Sequence, residues 1–495
     1  MMILAGGEAT RLGPLAAQMN KALVSIKQRP VLAHHVQRAK DANVDQLTIV
    51  CDETSRRQLE RTLQLMGCPI PWRIVIQPVA LGPVDAMMRG MSGLDHGSSS
   101  NDDTVIITAA DTFIDPTHTF EPIGGVERRD RWLGAMKTDD ISRSWCYWDG
   151  EHWTDGQPTD GPNHVFIGVF AATTQRLRRA IGSVIHKHGN RVLLAPLLNH
   201  LDDDGTGMWM EQMTGWHDTG DVAALAVARR ATFTSRASHR VLLDDRGVIT
   251  KTGVSDDEYF AAEAMSKLLL GPRVLGYARN TLRVEYIDTP SLAELWLYWP
   301  ARPETWTHII STIIGRLQRD LWPTTTTNVC TAQSQAAMYI DKTEDRLHRN
   351  GSDRMPRPLA DYLESDVIRP RDAAHVHGDL NFGNILYGLG SDVFRLIDAR
   401  GSFGGNSPTV GDDRYDIAKL RFSWNGLTAI THGLEVQRGE IIEALDDLLE
   451  GMGYNLKHLA AIEATMFLSS MPLHVKSEQE PMYYAAMSRM KEALS

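Results

Sequence analysis

Two groups of residues in this chain have the types and spacing that chemistry needs. The denser is His375-Val376-His377-Gly378-Asp379-Leu380-Asn381-Phe382-Gly383-Asn384-Ile385-Leu386, followed by Leu396-Ile397-Asp398-Ala399-Arg400-Gly401. An Asp and an Asn five residues apart, with a second Asp after a later apolar run, suit phosphoryl transfer. One carboxylate orients a hydroxyl and accepts its proton, while an amide and a second carboxylate hold a metal on the phosphates. An ordinary polar loop is the alternative, and three residues at these spacings weigh against it. The other group is spread over the first 220 residues. The apolar run Met2-Ile3-Leu4-Ala5 ends in Gly6-Gly7, Thr10-Arg11 follow, and Lys21 comes ten residues later. Glycines after a strand let backbone N–H groups approach phosphate oxygens. Arg11 and Lys21 can neutralise a triphosphate or a phosphate nucleophile. Alone, a Gly-Gly turn reads equally as a structural turn. Asp111 closes Val105-Ile106-Ile107-Thr108-Ala109-Ala110, a place for a Mg2+ ligand or for a helix N-cap. Asp218, in Trp216-His217-Asp218-Thr219-Gly220, is a second carboxylate, and by itself a loop turn former.

Taken together, Leu4-Ala5-Gly6-Gly7-Glu8-Ala9-Thr10-Arg11-Leu12, Asn20-Lys21-Ala22-Leu23, Ala110-Asp111 and Trp216 to Gly220 resemble the sugar-phosphate nucleotidyltransferase family over about residues 1–230. Gln77-Pro78 with Leu81-Gly82-Pro83 resembles its base-reading segment, and Ile167-Gly168-Val169-Phe170 its N-x-G-x-Y segment. The resemblance implies that a phosphorylated substrate attacks the α-phosphorus of an NTP and releases pyrophosphate. On it, Leu4, Ala5, Gly6, Gly7 and Thr10 line the nucleotide, and Arg11 holds the β- and γ-phosphates. Lys21 bridges the α-phosphate and the attacking phosphate, Asp111 and Asp218 hold Mg2+, Gln77 and Gly82 contact the base, and Gly168 lies by the substrate. Ala9 and Asn20 depart from the pattern, and no E-K-P segment is present. In its place stands Arg143-Ser144-Trp145-Cys146-Tyr147-Trp148, with Trp153 nearby. Trp145 and Trp148 either stack on a sugar or enclose a quaternary ammonium, or they pack as alternating strand residues.

The loop around Asp379 resembles that of the aminoglycoside phosphotransferase and choline kinase family, H-G-D-x-x-x-x-N followed by I-D, and the likeness spans roughly residues 232–495. It implies ATP as donor, Asp379 as catalytic base, and Asn384 and Asp398 as Mg2+ ligands. Asp416, in Asp413-Arg414-Tyr415-Asp416-Ile417-Ala418-Lys419-Leu420, matches a later D-x-A segment and reads as structural. Upstream, Lys251 fits the lysine on the ATP phosphates and Glu263 its helix partner, with Glu258 left for the helix cap. Glu285-Tyr286-Ile287 resembles a hinge that receives adenine through backbone groups. Thr234 to His239 takes the place of a glycine-rich loop.

These residues need elements to carry them. Short β-branched runs at Leu47–Cys51, Trp72–Ile76 and Thr104–Thr108 alternate with helical spacing, as over Pro30–Ala42. That pattern predicts an α/β, Rossmann-like nucleotidyltransferase domain: a mixed, mostly parallel sheet with helices on both faces and its site at the strand ends. Near 226–235 the character changes. Val241–Leu243 and Val248–Lys251 form a hairpin pattern across Asp244-Asp245-Arg246-Gly247, and Ser255-Asp256-Asp257-Glu258 has capping-box spacing. From about 291 the pattern is mainly helical. With the resemblance, this gives a two-lobed α+β protein-kinase-like domain. The expected divisions are 1–230 for the nucleotidyltransferase domain, 231–290 for the kinase N-lobe and 291–495 for the C-lobe.

At 495 residues, 42% hydrophobic and 23% charged, the chain has material for several cores, which excludes disorder. A net charge of −11 argues against nucleic acid as a general partner. No apolar run reaches a membrane span, no signal-peptide pattern opens the chain, and four scattered cysteines suggest neither a disulfide framework nor zinc. The expected localisation is cytoplasmic, the partners small molecules, with a homo-oligomer left open. The leading expectation is a bifunctional enzyme that phosphorylates a small sugar or alcohol with ATP. It then joins the phosphate to a nucleotide from a second NTP, with Mg2+ in both domains, giving an NDP-sugar or NDP-alcohol for surface polysaccharide. The alternatives are a choline- or ethanolamine-type kinase fused to a cytidylyltransferase, a degenerate binding module in one half, and a kinase half that modifies an unrelated molecule.

Overall fold

The structure is a computed structural model. It describes every residue other than 8, 14, 17–18, 93–102, 116–130, 139–145, 157–162, 204–207, 214, 234–240, 245, 324–328, 350, 352–353, 390, 406–409 and 435–437. The expectations for Trp145 and for Thr234 to His239 therefore lie outside the described residues. The chain divides into two compact units, Met1–Phe233 and Thr234–Ser495.

In the first unit, chain order runs β1 (Met2–Leu4), α1 (Val31–Asp41), β2 (Leu47–Cys51), α2 (Glu53–Leu65), β3 (Trp72–Ile76), α3 (Pro83–Ser92) and β4 (Thr104–Ala109). β1 lies between β2 and β4, with β3 outside β2, and all of these pairings are parallel. β2 is apolar and buried at every position but Thr48, which is buried too, as a strand covered on both faces must be. The remainder is β5 (Thr112–Ile114), β6 (Arg131–Thr138), β7 (Cys146–Trp148), β8 (Trp153–Asp155), β9 (Asn163–Thr173), α4 (Thr174–His188), α5 (Ala195–Asp202), β10 (Trp209–Gln212), β11 (Trp216–Asp218) and α6 (Val222–Ala231). β9 runs antiparallel to β4, β6 and β7, while β10 joins β6 in parallel. With β7 and β8 also antiparallel, the sheet is mixed, with four antiparallel and four parallel pairings among the described residues, which corrects the expected mostly parallel sheet. The early strands are joined by helical crossovers. The later additions are direct antiparallel returns, and these need no crossover.

β5 and β11 form a separate antiparallel pair that sets Asp218 opposite Thr112. Asp218 is thus a strand residue, not the loop residue its glycine neighbour suggested. Met2, Val50, Ile107, Phe170, Leu177 and Leu198 belong to one apolar cluster. Ile114, Trp132, Val165, Ile167, Val169 and Trp216 form another.

The second unit opens with β12 (Val241–Leu243), β13 (Val248–Thr252), α7 (Asp256–Lys267), β14 (Val274–Ala278) and β15 (Thr281–Glu285). The strands make an antiparallel sheet in the order β12-β13-β15-β14. Ser255 and Glu258 close a reciprocal capping box at the start of α7. There follow α8 (Leu292–Tyr298), α9 (Pro303–Arg316), α10 (Lys342–Arg349), the hairpin β16 (Ile385–Gly388) and β17 (Val393–Leu396), then α11 (Asp413–Phe422), α12 (Gly439–Gly451), α13 (Leu456–Ser470) and α14 (Lys476–Leu494). α13 is buried from Leu459 to Ser469. Arg421 of α11, fully buried, reaches Asp446 of α12, Glu463 of α13 and Glu492 of α14, so one guanidinium ties four helices. Such a charge is tolerable inside only because its partners surround it.

Candidate functional sites

In the first unit, β1 delivers the chain to Gly6 and Gly7, and Gly7 takes φ 99°. Ala9 occupies the left-handed region (φ 47°, ψ 29°) and caps the single turn Thr10–Leu12 that carries Arg11. The cradle thus keeps a conformation suited to glycine although the residue has a Cβ. Asn20 organises the next turn: its Nδ2 donates to the Ala5 carbonyl and to Ser55 Oγ, and its Oδ1 accepts from the Ala22 N–H. That turn presents Lys21, whose Nζ lies 3.1 Å from Asp111 Oδ2. A proline at position 20 could hold the turn but could not make these bonds.

Asp111 sits in the turn between β4 and β5. Its carbonyl accepts from both the N–H and the hydroxyl of Thr219, each at 2.9 Å, which ties β11 to it. A Cβ added at Gly220 would lie 3.0 Å from Asp218 Oδ1, 3.1 Å from Asp111 Oδ2 and 3.5 Å from Arg11 Nη2. Two carboxylates and a guanidinium therefore converge on one glycine. Burial, then the neighbouring Asp111 charge, pushes the Asp218 carboxyl up to about 6. Burial acts the same way on Asp111, but Lys21 and then Arg11 outweigh it and hold that carboxyl below its ordinary value. Hard oxygens gathered this way suit Mg2+.

Three expectations fare differently. Gln77 is buried, and its Nε2 is engaged by the Gly82 carbonyl at 3.1 Å and Asp85 Oδ2 at 2.9 Å. It holds the loop in which Gly82 takes φ 115°, so its amide donors are not available to read a base. Gly168 (φ 84°) falls where β9 slips register against β6, and Thr112 Oγ1 stands where its Cβ would be. Trp148, half-buried, packs against the core, 5.6 Å from Trp153, which fits the packing alternative. Leu4 and Ala5 form the strand end beneath the cradle, with Ala5 fully buried.

Residues 1–201 match the family model described as a MobA-like NTP transferase domain. No curated protein matches the chain. Among solved structures, a Bacillus anthracis protein described as a glucose-1-phosphate thymidylyltransferase, solved with sucrose, is 16% identical, with 48% of this chain and 95% of that chain covered and a TM-score of 0.41. A UDP-glucose pyrophosphorylase complexed with UDP-glucose is 15% identical, with 46% and 96% covered and a TM-score of 0.38. A UDP-glucose pyrophosphorylase from Acinetobacter baumanii is 14% identical, with 46% and 91% covered and a TM-score of 0.37.

The second unit gathers its own polar site around the 377–384 loop. Asp416 accepts from the N–H groups of His377 and Gly378 at 2.8 and 2.9 Å and so pins the loop's start. Gly378 takes φ 77°. Asn384 Nδ2 donates to the Asp379 carbonyl at 2.9 Å, which leaves Oδ1 as the ligand atom it has to offer. The Ile397 N–H donates to the Asn384 carbonyl, bringing Asp398 alongside. Asp398 holds a left-handed conformation (φ 58°), a strain of the kind found at functional positions, and its Oδ1 lies 3.0 Å from Lys251 Nζ.

Asp379 is gripped from two directions. Lys419 Nζ lies 3.0 Å from Oδ1 and Arg400 Nη2 lies 3.0 Å from Oδ2. Burial raises this carboxyl, but Lys419 and then Arg400 overcome it and hold it well below the usual carboxylate range. His377 bridges the two arms of the site: Nε2 pairs with the Ile397 carbonyl at 3.1 Å, and Nδ1 faces the Asp379 N–H at 3.3 Å.

Glu263 is not beside Lys251. It pairs with Lys267 at 2.8 Å and Tyr259 at 3.0 Å on its own helix, so the expected partnership is replaced by Lys251–Asp398. Glu285 belongs to β15, with its N–H on the Arg273 carbonyl and its Oε1 on the Arg273 N–H. That N–H is engaged by Arg273, which leaves other backbone groups of the expected 285–287 hinge for an adenine. Ile287 follows two residues beyond the strand. Lys419 and Arg400 went unassigned in the sequence. A lysine one turn after Tyr415 and an arginine two residues after Asp398 were the available signals, and only the fold joins them to Asp379.

Proposed function

We propose that the chain is a bifunctional transferase. In this reading residues 1–230 move a nucleotidyl group from an NTP to a sugar or alcohol phosphate, and residues 231–290 and 291–495 are the two lobes of a small-molecule kinase that makes that phosphate. The observation that carries the first half is the convergence of Arg11, Asp111 and Asp218 on Gly220, with Lys21 on Asp111, in a unit that matches an NTP transferase model.

In the first half, Arg11 and Lys21 balance the phosphates' charge, and the Gly6-Gly7 backbone gives close access to them. The substrate's phosphate oxygen attacks the α-phosphorus as the bond to pyrophosphate breaks. The protein contributes position and charge rather than covalent help. Mg2+ bound by Asp111 and Asp218 would supply further charge neutralisation to the phosphates. In the second half, Lys251 meets the ATP phosphates, and Asn384 and Asp398 would hold a Mg2+ ion that supplies charge neutralisation to them. Asp379 orients the acceptor hydroxyl. As a strong acid it positions more than it holds a proton, which suits a loose phosphoryl-transfer transition state.

The kinase half rests on the assembly of Asp379, Asn384, Asp398 and Lys251. The place of the product in surface polysaccharide synthesis belongs to the same proposal. A choline- or ethanolamine-type kinase paired with a cytidylyltransferase is the alternative; Trp148, packed against Trp153, gives it no stacking face of its own. The test is to supply ATP, each of CTP, UTP, GTP and dTTP in turn, and pooled unphosphorylated sugars and alcohols, and to follow pyrophosphate and products by mass spectrometry. An NDP-linked product that requires both ATP and a second nucleotide supports the reading. ADP without pyrophosphate, even when phosphorylated substrates are supplied, overturns its first half.

A further inference from the structure

The charge around Asp379 exceeds what one carboxylate needs. Lys419 already pairs with it, on a side chain only 11% exposed, and Arg400 takes its other oxygen. Beyond them, Lys342 Nζ donates to the Tyr415 hydroxyl at 3.2 Å and lies 5.6 Å from that ring's centre, while Lys419 Nζ lies 5.9 Å from the same centre. Tyr415 is buried. Arg346 follows Lys342 by one helical turn on α10, on the same face, with its Nη1 on the Ser469 carbonyl at 3.1 Å.

Four cations thus gather around one carboxylate. Among the described residues Glu258 is a further acid felt by Arg400, and none pairs with Lys342. Burial lowers the Lys342 ammonium below its ordinary value, with Lys419 and Arg346 adding to it against Tyr415, and burial and Arg400 lower Arg346 against Tyr415 and Asp379. A half-buried ammonium facing other cations is costly unless something negative arrives. The nucleotide is not that partner in this arrangement. Its lysine, Lys251, is joined to Asp398, whereas Lys342 and Arg346 connect to Asp379 through Tyr415 and Lys419.

We propose that Lys342 and Arg346, beside the Arg400 and Lys419 that hold Asp379, form the anion site of the kinase's acceptor, which is a small alcohol carrying a carboxylate or phosphate group. The proposal rests on the kinase reading above and names its substrate class. The anion docks on Lys342 and Arg346 and places the hydroxyl on Asp379. The hydroxyl oxygen bonds to the γ-phosphorus as the bond to the bridging oxygen breaks. ADP leaves with that electron pair, and the hydroxyl proton passes by way of Asp379 to solvent. Cationic acceptors such as amino sugars or choline meet like charge here and are rejected.

The test uses the full chain with ATP and Mg2+, following ADP release with glycerate, glycerol 3-phosphate, glycerol, glucosamine and choline. At least one of the two acids should exceed glycerol in kcat/KM by about tenfold or more, with the amines below glycerol. Which acid wins says whether carboxylate or phosphate is the recognised group. Lys342→Met and Arg346→Gln should each raise the KM for that acid by about tenfold, leave the KM for ATP within about twofold, and be rescued by Lys342→Arg and Arg346→Lys. A structural role would not split the two KM values in this way. Preference for glycerol or an amine, or a change that falls on ATP, overturns the anion site and leaves the kinase standing. ADP release no greater than that of Asp379→Asn with every acceptor overturns the kinase reading itself, and the anion site with it.

Discussion

His377 is a neutral ring because both of its nitrogens are already committed. One donates to the Ile397 carbonyl and the other accepts from the Asp379 N–H. Burial is the main reason its value falls from 6.5 to about 4, and a second proton would also set two donors face to face at the Asp379 N–H. The unfolded chain takes the proton more readily between those values, so the stability His377 contributes is complete above 6.5 and lost as the pH falls toward 4. The shift corresponds to about 3 kcal/mol at this one residue. Asp416 and Glu463, buried carboxyls pushed up to about 7, act in the opposite direction over this range, so the test is the difference between urea titrations of the parent and of His377→Gln at pH 7 and pH 5: the parent should lose more stability, or gain less, than the variant. Equal pH dependence in both proteins would refute the assignment. The catalytic assignments separate in the same way. Asp379→Ala should lower phosphorylation by roughly a hundredfold or more while nucleotidyl transfer from an already phosphorylated substrate continues. Lys21→Ala or Asp111→Ala should do the reverse, measured by pyrophosphate release. Loss of both activities in a folded variant would sink the two-site scheme.

At the scale of elements, two backbone positions can be tested by stability alone. Ala9 pays a strain of about 1 kcal/mol for its left-handed conformation, so Ala9→Gly should be neutral or raise the unfolding midpoint. Gly168→Ala should lower the midpoint and cost a few kcal/mol of stability, about what a strained and overpacked site costs, because φ 84° and Thr112 both oppose a Cβ. Thermal unfolding of the two variants reads both, and a midpoint for Gly168→Ala equal to the parent's would contradict the second. These positions also show where sequence is informative. The capping box at Ser255 and Glu258, and the buried run of β2, are local patterns and are legible in the residues themselves. The partner of Lys251 is not, because Glu263 at helical spacing has a nearer cation on its own helix, and the choice of Asp398 depends on contacts 147 residues apart. Nor could the pairing of β5 with β11 be read. A three-residue strand gives no periodicity, and its partner lies a hundred residues on. The same holds for the later sheet, where antiparallel returns of β6 to β9 share the apolar runs of a parallel one.

For the whole molecule, two compact units divided in sequence after Phe233 predict unfolding in more than one step. Calorimetry should resolve two transitions. A non-hydrolysable ATP analogue at a hundred times its Kd should stabilise the second unit by about 2.7 kcal/mol, and a single transition moving as one would contradict independent units. The seam has a further consequence at the level of the gene. A stop codon placed just after Phe233 would spare every strand of the first sheet. One placed before Asn163 would remove β9, the strand against which β4, β6 and β7 all pair, and leave open sheet edges prone to aggregation. Truncating alleles that stop after Phe233 should therefore leave a folded first unit, and those that stop before Asn163 should leave none, whatever each reaction turns out to be.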